Sequence, residues 1–187
     1  MVHILGLSGS LRRQSFNTGL LRAAVPLVPE GSSLSVLTPE GIPLYNADVE
    51  AAEGLPPAVV ALKDAVVAAD GVLLATPEYN NGLPGVFKNM IDWASRPADD
   101  IGRVFGGKPV AVIGASPGGF GTILAQDAWL GVLRTLGTRP WFEGRLLASR
   151  AGSLFDHDGQ LTDEPTRERL RAFLAGFLSF VEGARAT

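Results

Sequence analysis

Gly71-Val72-Leu73-Leu74-Ala75 runs directly into Thr76-Pro77-Glu78-Tyr79-Asn80-Asn81-Gly82-Leu83-Pro84-Gly85-Val86-Phe87-Lys88-Asn89-Met90-Ile91-Asp92-Trp93. The five apolar residues read as a buried strand. Two prolines, two glycines and an asparagine pair then make a loop. Phe87, Met90, Ile91 and Ala94 follow at helical spacing. A strand, a polar loop and a helix in this order predict an α/β sheet, whose ligands sit at the carboxyl ends of its strands. The loop has few long aliphatic side chains and many backbone amides and short polar groups. That composition suits a flat, hydrogen-bonding heterocycle.

Four further apolar runs lie outward from this stretch: Val2–Leu7, Leu34–Leu37, Val110–Ile113 and Trp141–Leu147. The first and third resemble Gly71–Ala75 in being apolar rather than alternating, as parallel strands covered on both faces are. The other two are more mixed, which suits sheet edges. Helical patterns separate them. Asn17–Val25 sets Leu20, Leu21 and Ala24 on one face. Pro56-Pro57 opens a segment with Val59, Leu62, Val66 and Ala69, proline being tolerated in a first turn. Ile123–Leu136 centres on Leu130 and Leu133. Last comes a stripe of Leu170, Phe173, Leu174, Phe177, Leu178 and Val181, with Thr162 or Asp163 as N-cap and Arg167, Glu168, Arg169 and Arg171 on the solvated face. The alternation predicts one α/β domain over residues 1–187, a three-layer, doubly wound, five-stranded parallel sheet in the flavodoxin-like order 2-1-3-4-5. Pro39 to Pro56 is left as a long connection: a surface lid, an interface arm or a linker.

Composition narrows the function. A length of 187 residues, 46% of them hydrophobic, suffices for one full core. A net charge of −3 without a basic cluster gives no footprint for nucleic acid. The lack of cysteine removes disulfides, thiolate metal sites and a Cys nucleophile. No apolar stretch approaches the roughly 20 residues of a membrane span, and the N-terminus lacks the basic start of a signal peptide. A soluble, cytoplasmic protein is expected, with no metal, no nucleic-acid partner and no membrane insertion.

The run after the first strand is Ser8-Gly9-Ser10-Leu11-Arg12-Arg13-Gln14-Ser15-Phe16-Asn17-Thr18. It puts hydroxyls, amides and a guanidinium at a helix start, where unpaired N–H groups and the helix dipole attract anions. Ser10, Arg12, Ser15, Asn17 and Thr18 can each donate to a phosphate. The plainer alternative makes Ser15 or Asn17 an N-cap and leaves both arginines on the surface. Other phosphate motifs fail. Gly6-Leu7-Ser8-Gly9-Ser10-Leu11 is not the dinucleotide fingerprint. Gly102 to Pro109 nearly spells a Walker A loop, but Pro109 replaces the metal-binding hydroxyl and the run precedes its strand. A phospho-acceptor domain needs aspartates where Ser8 and Thr76 stand. No G-x-S-x-G elbow or Ser–His pairing supports a hydrolase.

Gly9-Ser10-Leu11-Arg12 with Ser15 and Asn17, and Pro77-Glu78-Tyr79-Asn80 continuing to Lys88-Asn89, Ile91, Asp92 and Trp93, resemble the NAD(P)H-dependent FMN reductase family. This is the flavodoxin-like branch that includes chromate and quinone reductases and some azoreductases. Flavodoxins proper differ in using a phosphate loop without a corresponding arginine. The resemblance implies that Ser10, Arg12, Ser15, Asn17 and Thr18 hold the FMN phosphate, with Phe16 also in the cofactor-binding set. Pro77, Glu78, Tyr79, Asn80, Asn81 and Gly82 would border the isoalloxazine ring. Ser116, Pro117, Gly118 and Gly119 would approach its pyrimidine side from a third loop, where glycines let backbone amides come close; an ordinary strand-to-helix turn is the alternative there.

The resemblance further implies hydride transfer from NADPH or NADH to flavin N5. Ping-pong passage would follow, to a small-molecule acceptor such as a quinone, a free flavin, an azo compound or chromate. No catalytic side chain is required, because the flavin carries the chemistry. It also implies a homodimer or homotetramer with FMN near the dimer interface, where Tyr79, Phe120 and the Pro39–Pro56 connection come from either subunit. Glu78, the acid of the ring loop, is expected to point away from the ring. Lys88 and Asp92 are spaced to pair. Arg96 is either a contact for a pyridine-nucleotide phosphate or a surface arginine, and His3 and His157 read as structural. An electron carrier fed by a protein partner and a non-catalytic FMN sensor are the rival classes.

Overall fold

The strands of the computed structural model, which describes residues 1–185, grow from the apolar runs. They are β1 (Val2–Ser8), β2 (Ser32–Leu37), β3 (Gly71–Ala75) and β4 (Pro109–Ala115), with β5 (Arg139–Pro140) and β6 (Leu146–Ala148) completing the sheet. All pairings are parallel and the order is β2-β1-β3-β4-β5, with β6 also on β4. β3 is buried at every position, as its uniformly apolar sequence requires, whereas the mixed β2 lies at an edge.

The helices are α1 (Phe16–Ala24), α2 (Ala47–Glu53), α3 (Pro57–Ala68), α4 (Gly85–Ala94), α5 (Ile101–Val104), α6 (Ile123–Thr135) and α7 (Glu164–Arg185). Leu20 and Leu21 of α1 and the Leu170–Val181 stripe of α7 pack with Ile4 and Leu73 on one face of the sheet. Leu62 and Val66 of α3, Phe87 and Ile91 of α4 and Trp129 of α6 pack with Leu5 and Leu74 on the other. Two cores on opposite faces are what a doubly wound sheet requires. Asp163, not Thr162, caps α7 through the Thr166 amide at 2.9 Å. His3 bonds Ser35 across β1 and β2 at 2.8 Å, a structural role.

The fifth strand position differs from the continuous run Trp141–Leu147. β5 ends at Pro140, and the ladder resumes only at Leu146. Between them Trp141 turns into the core, edge-on to Phe173 with ring centroids 4.9 Å apart. Its indole fits because Gly176 has no side chain: a Cβ there would stand 2.7 Å from the ring. The indole takes the place that a regular strand path would have used.

The Pro39–Pro56 connection is not a free linker. Asn46 caps α2 within it. Asn89 of α4 accepts from the Tyr45 amide and donates to the Pro43 carbonyl, each at 2.8 Å, and Trp93 Nε1 donates to the same carbonyl at 2.8 Å. Tyr45 stands edge-on to Trp93. Arg96 Nε donates to both oxygens of Glu50, and the Tyr45 hydroxyl donates to Oε2. α2 buries no residue, so no apolar stripe marks it in the sequence.

Three outcomes are expected. The Arg96 hydrogen bond holds the Glu50 carboxyl below its ordinary value of 4.5. The ionic part of the arm's attachment is therefore whole above that pH and is lost as pH falls through the lower folded value, while the neutral contacts of Pro43 and Tyr45 stay. Trp93 fluorescence should report an acid loosening of the arm, and Glu50→Gln should show the loosened signal at neutral pH. An identical titration in that variant would refute the link. At Gly114, a Cβ would overlap the Thr122 hydroxyl and lie 2.5 Å from the Thr76 carbonyl oxygen. Gly114→Ala should therefore lose about 1–3 kcal/mol in urea unfolding. Gly131→Ala on α6, with no atom within 4 Å of its Cβ, should gain about 0.5–1 kcal/mol.

Candidate functional site

The ladders do not stop where the strands do. Gly9 donates to Ala75 O, Thr76 to Ile113 O and Ser116 to Ala148 O, at 2.9, 2.9 and 3.0 Å. The loops after β1, β3 and β4 therefore leave one rigid edge from fixed starting points. They converge on a cleft lined by Ser10, Arg12, Ser15, Phe16, Asn17, Pro77, Glu78, Tyr79, Ala115, Ser116 and Pro117.

Ser15 caps α1, its hydroxyl accepting from the Thr18 amide at 3.3 Å. The start of α1 leaves the amides of Phe16 and Asn17 without intrahelical acceptors. Arg12 lies over the Phe16 ring, 5.4 Å from its centroid, and has no ion-pair partner among the described residues. Asn17 has a different task from that expected of it. Its side chain donates to Ala115 O and accepts from Ala115 N, both at 2.9 Å, tying α1 to the end of β4. Thr18 bonds Ser8 Oγ at 2.7 Å and lines an adjoining basin, not this cleft.

The ring loop is built on a mirror-image hairpin turn. Tyr79 and Gly82 exchange backbone hydrogen bonds at 3.1 Å, and Asn80 and Asn81 between them both have positive φ (50° and 61°). Asparagine is the non-glycine residue that best tolerates that conformation. Beneath it, Trp129 Nε1 donates to the Thr76 hydroxyl, which donates to Pro77 O, a chain wholly inside the protein. The Glu78 carboxylate is committed to a neighbouring element. Its Oε2 accepts from the amides of Leu124 and Ala125 at 2.9 and 3.0 Å and so caps α6 from a neighbouring loop.

Ser116 directs its hydroxyl to Gly121 O within its own loop. Pro117 lines the cleft, whereas Gly118, Gly119, Asn80, Asn81 and Gly82 lie beside it. Tyr79 and Phe120 are exposed at its mouth. Lys88 and Asp92 pair at 2.6 Å. Arg96 is engaged by Glu50 and Tyr45, so it is neither free for a phosphate nor an idle surface group. Sequence reasoning missed Ala115, which enters through its backbone and leaves no signal in residue type. It also missed the Asn17 tie and the Trp129–Thr76 link, which need the fold to bring together residues 98 and 53 positions apart.

The family model described as NADPH-dependent FMN reductase matches residues 2–152. A protein of Pseudomonas aeruginosa named NAD(P)H-dependent FMN reductase PA1204 is 44% identical over 184 residues, 98% of this chain and 97% of that one. The 2-hydroxy-1,4-benzoquinone reductase of a Burkholderia species is 38% identical, covering 95% and 94%. Among solved structures, FerB from Paracoccus denitrificans, described as a flavoenzyme NAD(P)H:(acceptor) oxidoreductase, superposes with a TM-score of 0.86. It is 35% identical and covers 98% and 99% of the two chains.

The double hydrogen bond of Glu78 sets its expected worth. Glu78→Ala should lower stability by about 1 kcal/mol, the usual cost of a lost N-terminal cap. Glu78→Gln, which keeps an acceptor, should lose less. Equal losses in thermal or urea unfolding would show that the carboxylate charge, not the acceptor geometry, matters.

Proposed function

The chain belongs to the NADPH-dependent FMN reductase family, an oxidoreductase family using FMN and NAD(P)H, and from that premise we propose that it is an NAD(P)H-dependent quinone reductase. One observation carries the reading: three loops on one sheet edge meet at a cleft with an unpaired guanidinium and free helix-start amides at one end, and the carboxylate of its lining residue Glu78 is engaged by the amides of α6. The phosphate end fits FMN. Arg12 offers a forked cation, Ser10 and Ser15 offer hydroxyls, and the amides of Phe16 and Asn17 point out of the first turn of α1. Asn17 positions that turn through Ala115, and Thr18 supports it through Ser8.

Pro77 and Tyr79 would border the ring, with Asn80, Asn81 and Gly82 beside them, and Ser116 and Pro117 would approach its pyrimidine side, flanked by Gly118 and Gly119. FMN held there would supply a hydride acceptor for the reduced pyridine nucleotide and an electron donor for the second substrate. Glu78 keeps its charge on α6, so no fixed anion faces the ring. The hairpin turn fixes Asn80 and Asn81 in place without a side-chain tether. Donor and acceptor would use the same exposed flavin face in turn, a ping-pong order. Quinones lead as acceptors because the Burkholderia relative is named for one. Free flavins, azo compounds and chromate are further candidates for the same open face. Leu44, Tyr79 and Phe120, exposed apolar groups on the arm and the mouth, favour a homodimer or homotetramer with the flavin near the contact.

The test is a stopped-flow absorption experiment on the FMN-loaded protein. NADPH or NADH alone should bleach the flavin, and a quinone should restore it. A flavin that resists both nucleotides would identify an electron carrier or sensor instead. Arg12→Ala should weaken FMN about tenfold or more and leave riboflavin nearly unchanged, as loss of a charge-assisted phosphate contact predicts. Equal losses would remove Arg12 from the phosphate.

A further inference from the structure

Ser10 and Arg12 form a wall shared by two depressions. One is the cleft described above; the other opens on the outer side of the same loop, towards the carboxyl end of β2, and is bordered by Arg13, Arg22, Thr38 and Glu40. Three guanidiniums face this basin against one carboxylate, in a chain whose net charge is −3. None of the three arginines has an ion-pair partner among the described residues. A depression lined by three guanidiniums and one carboxylate is locally positive and attracts an anion.

We propose that this basin is a second phosphoryl subsite, taking the adenosine-borne phosphate of a dinucleotide whose other end lies in the flavin cleft. The inference rests on the flavin-cleft reading above. The FMN phosphate needs one cation, and Arg12 supplies it from the inner side. Arg13 and Arg22 are therefore surplus to FMN. Their forked donors suit the anionic oxygens of a phosphoryl group, and the Thr38 hydroxyl adds a further donor. Two dinucleotides share this chemistry. The 2′-phosphate of NADPH would make the basin a selector against NADH. The adenylyl phosphate of FAD would make it an extension of the flavin site.

The experiment compares the wild-type FMN-loaded enzyme with Arg13→Ala/Arg22→Ala, both positions being exposed and outside the FMN-binding set. Steady-state KM and kcat are measured with NADPH and with NADH, and FAD is titrated against FMN for the site. If the phosphate is that of NADPH, its KM rises about tenfold in the double variant and the NADH values stay put. If it is that of FAD, FAD loses about tenfold relative to FMN. Both effects should shrink as salt is raised, because exposed guanidiniums are screened. Unchanged NADPH:NADH and FAD:FMN ratios in a variant that still holds FMN would overturn the proposal. Loss of FMN itself would also overturn it, by placing these arginines on the FMN phosphate. Failure of the parent reading is separate: it appears in the wild type as a flavin that neither nucleotide bleaches.

Discussion

The hydrogen-bond ladder of a parallel sheet, carried one residue past the end of each strand, is what the site depends on. The bonds from Gly9, Thr76 and Ser116 are ordinary backbone bonds, but each fixes the first residue of a loop. A loop anchored at its origin loses less freedom on binding than one that begins at a frayed strand end, which is how a scaffold pre-organises a site. The same edge explains two glycines. A Cβ at Gly9 would overlap the Phe87 ring and lie 2.7 Å from Pro77, and one at Gly114 would strike Thr76 and Thr122. The loops approach one another closely only because these positions carry no side chain.

Polar residues around the cleft divide by where their bonds go. Asn17, Thr18, Thr76, Glu78 and Ser116 spend their hydrogen bonds on the protein, joining helix to strand or loop to helix. Arg12, Tyr79, Asn80 and Asn81 keep their side-chain polar atoms out of the internal network. The first group sets geometry and the second is available to a ligand. Glu78 shows why residue type alone misleads. An acid in the middle of a cofactor loop suggests acid–base work, yet its carboxylate satisfies two helix-start amides that would otherwise lie unpaired.

The legibility of this fold in its sequence follows the range of the forces involved. Strands and large helices were readable because burial imposes a period, and the Leu170–Val181 stripe and the Gly71–Ala75 run obey it closely. The strand order followed from the count of five strands, which favours the order 2-1-3-4-5 over the six-stranded arrangement. What escaped has no periodic signature. α2 buries nothing, although Asn46 followed by Asp48 and Glu50 is a helix-start pattern. The break in the fifth strand coincides with an indole that fills space beside Gly176 of α7, a contact between residues far apart in the chain. At the site, residue types marked the phosphate loop and the ring wall. The division between tying and free residues was not readable, because Asn17 and Thr18 look equally suited to a phosphate until their partners are known.

The arm ahead of α3 adds a mechanical consequence. It is held by Asn89, Trp93 and Arg96, which lie along α4 or just beyond it, and α4 starts immediately after the ring loop at Gly85. Phe87 and Trp93 of the same helix are fully buried, so α4 cannot shift without disturbing the core. Attachment of the arm therefore leaves the ring wall in place, and its release changes what covers the neighbouring surface. Neutral contacts through Pro43 and Tyr45 combine with one ionic clamp at Glu50, so charge governs only part of the attachment. The geometry of the cleft and the cover beside it are separable properties: the sheet edge fixes the first and the arm adjusts the second.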